Sequence, residues 1–174
     1  MKTQSPYLFL KDDLFALREK RRDLLSKYEK AASDSGEACT QSSETYHDNF
    51  PYEQAMRDMD LYSKMISDMD AVLARAKEVD YPGQNPSYVT LGCKVRVLDL
   101  ESNRYRWLKI GSYLCDTGAR LDGEDENKAT PVSYASPIAT PLMRKRVGDK
   151  APFTPPHKKE RLLVIYEIVA ATPS

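Results

Sequence analysis

The residues best suited to chemistry lie in one short stretch, SETYHDNFPYE, residues 43–53. From Ser33 to Glu53 there are five acidic residues (Asp34, Glu37, Glu44, Asp48 and Glu53) and no Lys or Arg. Carboxylates without neighbouring cations suit a hard divalent ion. Magnesium takes only one or two protein carboxylates and fills its shell with water and phosphate oxygens. The stretch lacks the D-x-D-x-D-G pattern of a calcium loop. Alone it would hold a metal weakly, but it could carry ligands into another macromolecule's active site. The plainer reading is a solvated acidic turn. His47 lies beside Asp48, and His157 is the second of two histidines. A catalytic His/Asp pair also needs a nucleophile in range, so His47 reads as a surface residue. There is no Gly-rich phosphate loop, no G-x-S-x-G and no H-E-x-x-H, so no self-contained enzyme site is legible.

Two helical patterns flank this stretch. Leu10, Leu14, Leu17, Leu24, Tyr28 and Ala31 step by three, four or seven, with Arg21 interrupting the seam. That spacing predicts a helix from about Pro6 to Ser33, with Ser5 as its cap. Tyr52, Ala55, Met59, Tyr62, Ile66, Met69, Leu73 and Ala76 predict a second helix, capped by Asn49 with Pro51 in its first turn and running to about Val79. The methionines (Met56, Met59, Met65, Met69) read as packing rather than a cofactor box. Each helix has one narrow apolar stripe, most simply buried against the other. About 27 residues at ~1.5 Å each make a rod of about 40 Å, with the acidic turn at its tip.

Past Tyr81-Pro82-Gly83-Gln84-Asn85-Pro86 the period changes to two. Residues 89–91, 94–98, 105–110, 131–134 and 162–169 read as strands, and 99–104 as a hairpin turn. Leu121 to Thr130 reads as a polar loop. Ser136 and Pro137 open a helix over about 137–145. The fold class is therefore α+β. Residues 1–80 form an antiparallel coiled-coil hairpin with an acidic tip near 33–53, residues 81–87 a linker, and residues 88–174 a small α+β domain. Trp107 sits in an alternating strand, where core packing explains it.

The chain has 174 residues and a formal net charge of zero, which gives no global case for nucleic-acid binding. The zero hides a split. Residues 1–80 carry 12 Lys and Arg against 16 Asp and Glu, a net of −4; residues 81–174 carry 14 against 10, a net of +4. The basic runs Arg144-Lys145-Arg146 and Lys158-Lys159-Glu160-Arg161 suit an acidic protein or a nucleic-acid backbone, or simply solvent. Cys39, Cys93 and Cys115 are odd in number and form no C-x-x-C, which points to a reducing cytoplasm rather than a disulfide or zinc framework. No apolar run has the length of a signal peptide or a membrane span.

Three segments carry a resemblance. Val132 to Asp149, VSYASPIATPLMRKRVGD, is similar to the I-S-x-x-S-P-I-A-x-A-L-x-G-K-x-V-G-D of the Gre-type transcript cleavage factors, the GreA/GreB family. Leu10-Lys11-Asp12-Asp13-Leu14 resembles the family's L-x-E-E-L, and Val89 to Val95 its strand entering the C-terminal domain. The resemblance implies an FKBP-like C-terminal domain that docks beside the secondary channel of bacterial RNA polymerase, with Ser136, Pro137 and Ile138 contributing. The hairpin would thread the channel as a monomer, with no membrane involved. It would bind no cofactor of its own. Its tip carboxylates would help hold the second magnesium ion of the polymerase active site and so meet the nascent RNA 3′ end indirectly. The factor itself is then not an enzyme: it stimulates the polymerase's own nuclease activity.

The tip departs from the family's D-x-x-E-N-x-E-Y. Asn49 and Tyr52 stand where the family has its structural Asn and Tyr. Asp48 takes the place of the second acid and Thr45 that of the first, with Glu44 one position away and Pro51 replacing a Glu. Asp48 and Glu44 are the candidate ligands. The alternative is a channel-binding regulator that does not cleave. From another class, an FKBP-like prolyl isomerase would need an aromatic-lined pocket, for which Trp107 and Phe153 are the candidates. A plain coiled-coil adaptor is disfavoured by the match at 136–149.

Overall fold

Leu14, Leu17, Arg21, Leu24, Tyr28, Ala31 and Ser35 alternate in steps of three and four, and all are buried or half-buried. They lie along the first helix of a computed structural model that describes residues 5–41, 50–115, 128–155 and 160–171. This helix, α1, spans Lys11–Gln41, and α2 spans Phe50–Leu73. A spacing of 3.5 residues is that of coiled-coil packing. Two cross-links set the register. Arg21 meets Asp70, and the Ser35 hydroxyl meets the Met56 sulfur at 3.9 Å. Fourteen residues forward in α1, from 21 to 35, correspond to fourteen back in α2, from 70 to 56, so the pairing is antiparallel.

The helix boundaries differ from expectation for local reasons. Tyr7–Leu10 is a strand, β1, rather than the first turn of α1. Its backbone bonds are taken elsewhere. The Leu8 N–H donates to the Tyr134 hydroxyl at 3.0 Å, and the Leu10 N–H to Ser112 Oγ at 2.9 Å. The helix starts at Lys11 with Asp12 and Asp13 in its first turn, where carboxylates oppose the helix dipole. At the other end α1 continues past Ser33. Gly36 has open space around it, and one interior glycine costs a long helix only about 1 kcal/mol. Helix α2 stops at Leu73, and Ala76–Val79 forms β2, paired with β1, instead of a last helical turn.

The chain divides into two compact units. One holds Leu14–Ala76; the other holds Tyr7–Asp13 together with everything from Lys77 on. The second unit is built on a five-stranded sheet of β3 (Cys93–Asp99), β4 (Arg104–Gly111), β5 (Thr130–Ser133), β6 (Lys150–Phe153) and β7 (Arg161–Ala170), in the order β5-β4-β3-β7-β6. All neighbours are antiparallel except β4 and β5. Strand alternation sends Cys93, Val95, Val97, Leu108, Ile110, Val132, Leu163 and Ile165 to one face, where Ile138, Ala139 and Leu142 complete the core. β6 escapes sequence reading because it carries Pro152, which suits an edge strand, and β6 is at the edge.

Two further expectations are corrected. Val89 to Leu91 is not a strand: Val89 exchanges both backbone bonds with Arg144 and Lys145 at 2.8 Å. The helix expected over 137–145 shrinks to a 3-10 turn, Thr140–Leu142. Pro141 has no N–H to give the carbonyl of Pro137, and Arg144 takes φ 63°, which ends any helix. The chain turns at Gly92 with φ 81°. A Cβ there would stand 2.8 Å from Pro82 Cδ and 3.3 Å from Leu10, so only glycine fits.

Candidate functional site

In the hairpin unit the candidate ligands Asp48 and Glu44, and the candidate cap Asn49, lie outside the described residues. The structure describes both flanks of this segment, α1 through Gln41 and α2 from Phe50. Pro51 occupies the first turn of α2, where its missing N–H costs nothing. Glu53 pairs with Arg57 one turn on at 3.2 Å, both exposed. Tyr52 faces the seam side of α2, half-buried, two positions past Phe50, which is 66% exposed. Among the described residues no group of three or more His, Cys, Asp or Glu could hold a metal ion.

A half-buried cation stands along the seam. Arg21, the residue that interrupts the apolar stripe, forks onto Asp70 with contacts of 2.5 and 3.0 Å. Hydrogen bonding from Arg21 holds the Asp70 carboxyl below the usual carboxylate range, and Asp70 in turn raises Arg21. Exposed pairs of this kind fix register more than they add stability.

In the sheet unit the segment 133–140 is a tightly bonded turn. Ser136 accepts at its backbone oxygen from the N–H groups of Ala139 and Thr140, at 3.1 and 2.9 Å, and from the Thr140 hydroxyl. Its Oγ accepts weakly from the Ala139 N–H at 3.3 Å. Ser136 is therefore not the cap expected of it: the cap of the 3-10 helix is Ala139, with no side-chain cap bond, and Ser136 instead braces the turn before it. Pro137 is exposed. Ile138 is only 7% exposed and belongs to the core, so its side chain anchors the turn rather than offering a contact surface. Beside Pro137 lies an open concavity of about 520 Å³, lined by Tyr113, Leu114, Cys115, Ser133, Ala135 and Ser136. Leu114 is half exposed on its rim.

That turn is tied to β1. The Tyr134 hydroxyl accepts from Leu8, the Tyr113 N–H donates to the Leu8 carbonyl at 3.2 Å, and the Tyr7 ring stacks on Tyr113 at 3.8 Å. Ser112, buried, donates to Asp13 Oδ2 at 2.5 Å, and the Tyr81 hydroxyl reaches Asp12 at 3.3 Å. Sequence reasoning missed this network because it placed residues 7–10 in a helix. The alternation of Tyr7 to Leu10 is too short to register against the heptad that follows.

Downstream, Arg144 and Arg146 are exposed in a loop shaped by Asp149, whose carboxylate accepts from the Arg146 N–H at 2.8 Å. Gly148 supplies the φ of 90° that lets its N–H reach the Ile165 carbonyl. Trp107 corrects another expectation. It pairs with Arg96 across β3–β4 and is absent from the core cluster, which contains Leu108 and Ile110 from the opposite face. Phe153 is in that core. The two aromatics considered for an isomerase pocket therefore sit on opposite faces of the sheet.

No family model matches the chain. It is 27% identical over 150 residues to the transcription elongation factor GreA of Thermodesulfovibrio yellowstonii, covering 85% of each chain. It is 31% identical over 111 residues to GreA of Hyphomonas neptunium, covering 63% of this chain and 64% of that one. To GreA of Orientia tsutsugamushi it is 31% identical over 103 residues, 59% of this chain and 58% of the relative. Among solved structures it is similar to GreA factor homolog 1 of Thermus thermophilus, with 18% identity, a TM-score of 0.42 and coverage of 94% and 98%. The chain is thus similar, over half of its length or more, to curated GreA transcription elongation factors.

Proposed function

We propose that this protein acts in the bacterial cytoplasm on RNA polymerase, entering the secondary channel with its helical hairpin and promoting cleavage of backtracked RNA. Asp48, with Glu44, would add carboxylate oxygens to the second magnesium ion of the polymerase. Two-metal hydrolysis gains from such ligands, because the ions clamp both the attacking water and the leaving oxygen. The observation that supports this reading is the junction of an antiparallel hairpin with a stretch of five acids and no Lys or Arg. At ~1.5 Å per residue the 31 residues of α1 extend about 46 Å, enough to reach through a deep channel. The sheet unit, read as FKBP-like, would dock at the channel rim through Pro137 and the concavity beside it, with Ser136 and Ile138 holding the turn in shape.

The test is RNA cleavage in a stalled, backtracked elongation complex at fixed magnesium. Wild-type protein is expected to accelerate it. Asp48→Asn is expected to return the rate to that of polymerase alone while polymerase binding persists, and equal cleavage by the variant would remove Asp48 from this role. A second reading is favoured by Thr45 and Pro51, which replace acids of the family pattern. In that reading the protein occupies the channel and inhibits. Binding without acceleration, together with slower RNA synthesis, would select it.

A further inference from the structure

The face of the sheet turned away from the core has an unusual composition. Strand alternation and register place Lys94, Arg96 and Leu98 of β3 beside Lys109, Trp107 and Tyr105 of β4, each pair directly opposite. Across β3, Arg96 faces Glu167 and Leu98 faces Val164 of β7. Between them the ladder slips by one residue, and the extra residue is Tyr166, 55% exposed. A bulge of this kind re-aims a side chain. Tyr166 meets the Tyr105 ring edge-on at 5.2 Å, and the Arg96 guanidinium lies 4.6 Å from the Tyr105 ring centre and 5.6 Å from that of Tyr166. Lys150 of β6, opposite Val164, shares the face. Lys94, Arg96 and Lys150 outnumber the one acid, Glu167, among the described strand residues of this face.

We infer that this outer sheet face binds single-stranded nucleic acid, with Tyr105, Tyr166 and Trp107 as stacking platforms and Lys94 and Arg96 neutralising phosphates. The excess of cations selects a polyanion. The interleaved rings select bases over an acidic protein surface, because every base offers a face on which an aromatic can stack. An open sheet face displaying aromatics between basic residues is a geometry suited to splayed bases. Arg96 lies against both tyrosine rings, so its guanidinium loses less freedom on binding. The inference does not depend on the hairpin or on Asp48.

Trp107 is the sole tryptophan, so its fluorescence reports on this face. Full-length protein titrated with a short oligouridylate is expected to show saturable quenching, with affinity falling as salt rises. Tyr166→Ala, at an exposed position, is expected to weaken binding about tenfold, the size of one stacked base. Arg96→Ala is expected to weaken it and flatten the salt dependence, while Arg96→Lys keeps the salt slope; far-UV circular dichroism checks that each variant is folded. Absence of quenching would overturn the inference. So would unchanged affinity in a folded Tyr166→Ala variant. Binding of polyglutamate as tight as that of oligouridylate would assign the face to an acidic protein instead.

Discussion

The two units of this chain are held together in different ways. Among the described residues of the hairpin the buried apolar side chains are few, Leu14, Leu17, Leu24, Ala31 and Ala55, and an ion pair crosses the seam at Arg21 and Asp70. The sheet unit has one contiguous apolar core running from Val89 to Ile165, with its charged groups netted at the rim. Asp99 shows the second style. It is buried, accepts from the Glu101 N–H at 3.0 Å and meets Arg161 at 3.0 Å, while Arg161 also reaches Glu101. Burial pushes the Asp99 carboxyl up, but the hydrogen bonds from Glu101 and Ser102 and the charge of Arg161 outweigh it, and the net direction is down. A thin seam leaves the register of the hairpin to a few contacts. A thick core suits a unit that must hold surface turns such as 133–140 in one shape.

The contrast can be broken most strongly in the core. Leu108→Ala removes a fully buried side chain and is expected to cost about 2–5 kcal/mol, read by urea denaturation of the sheet unit. Next comes Gly92→Ala, which forces a side chain into a left-handed turn and against Pro82. It is expected to cost about 1–3 kcal/mol in the same measurement. Asp99→Ala should cost about 1 kcal/mol at neutral pH. Because the folded carboxyl lies below its unfolded value, that contribution is present above about pH 4 and is lost as pH falls through the folded value. The difference between wild type and variant should therefore close on acidification. Smallest is Asp70→Asn in the seam. Its effect has the same pH sign but is expected to vanish in high salt, since the pair is largely exposed. A salt-resistant loss at Asp70 would show that the two units are built more alike than their burial indicates.

How much of this was legible in the sequence follows the same division. The heptad of α1 was readable, with Arg21 as its interruption, but the Asp70 that meets Arg21 was not. The alternation of β3, β4 and β7 was readable because half-buried strands repeat every two residues. Which face is inside was not. Leu108 and Ile110 share one parity and Tyr105, Trp107 and Lys109 the other, and only Lys109 signals that the tryptophan's side is the outer one. β1 was lost to the helix next to it, because four residues carry too little pattern to compete with thirty-one. Over 137–145 the N-terminal helix signals of Ser136 and Pro137 are legible, but Pro141 and the left-handed Arg144 cut the helix to a 3-10 turn. The chemistry of Glu44 and Asp48 was legible as residue types only.

The placement of β1 has a consequence for how the chain comes into being. Leu10 bonds to Ser112, 102 residues further on, and Leu8 bonds to Tyr134, 126 residues further on. The hairpin can complete itself on the ribosome once α2 has emerged, because its contacts lie within residues 14–76. The first strand cannot. It must wait, tethered ahead of a finished rod, until more than half of the polypeptide has followed it out. Contacts that distant close slowly. Assembly of the sheet unit thus follows that of the hairpin, although one of its pieces is made before it.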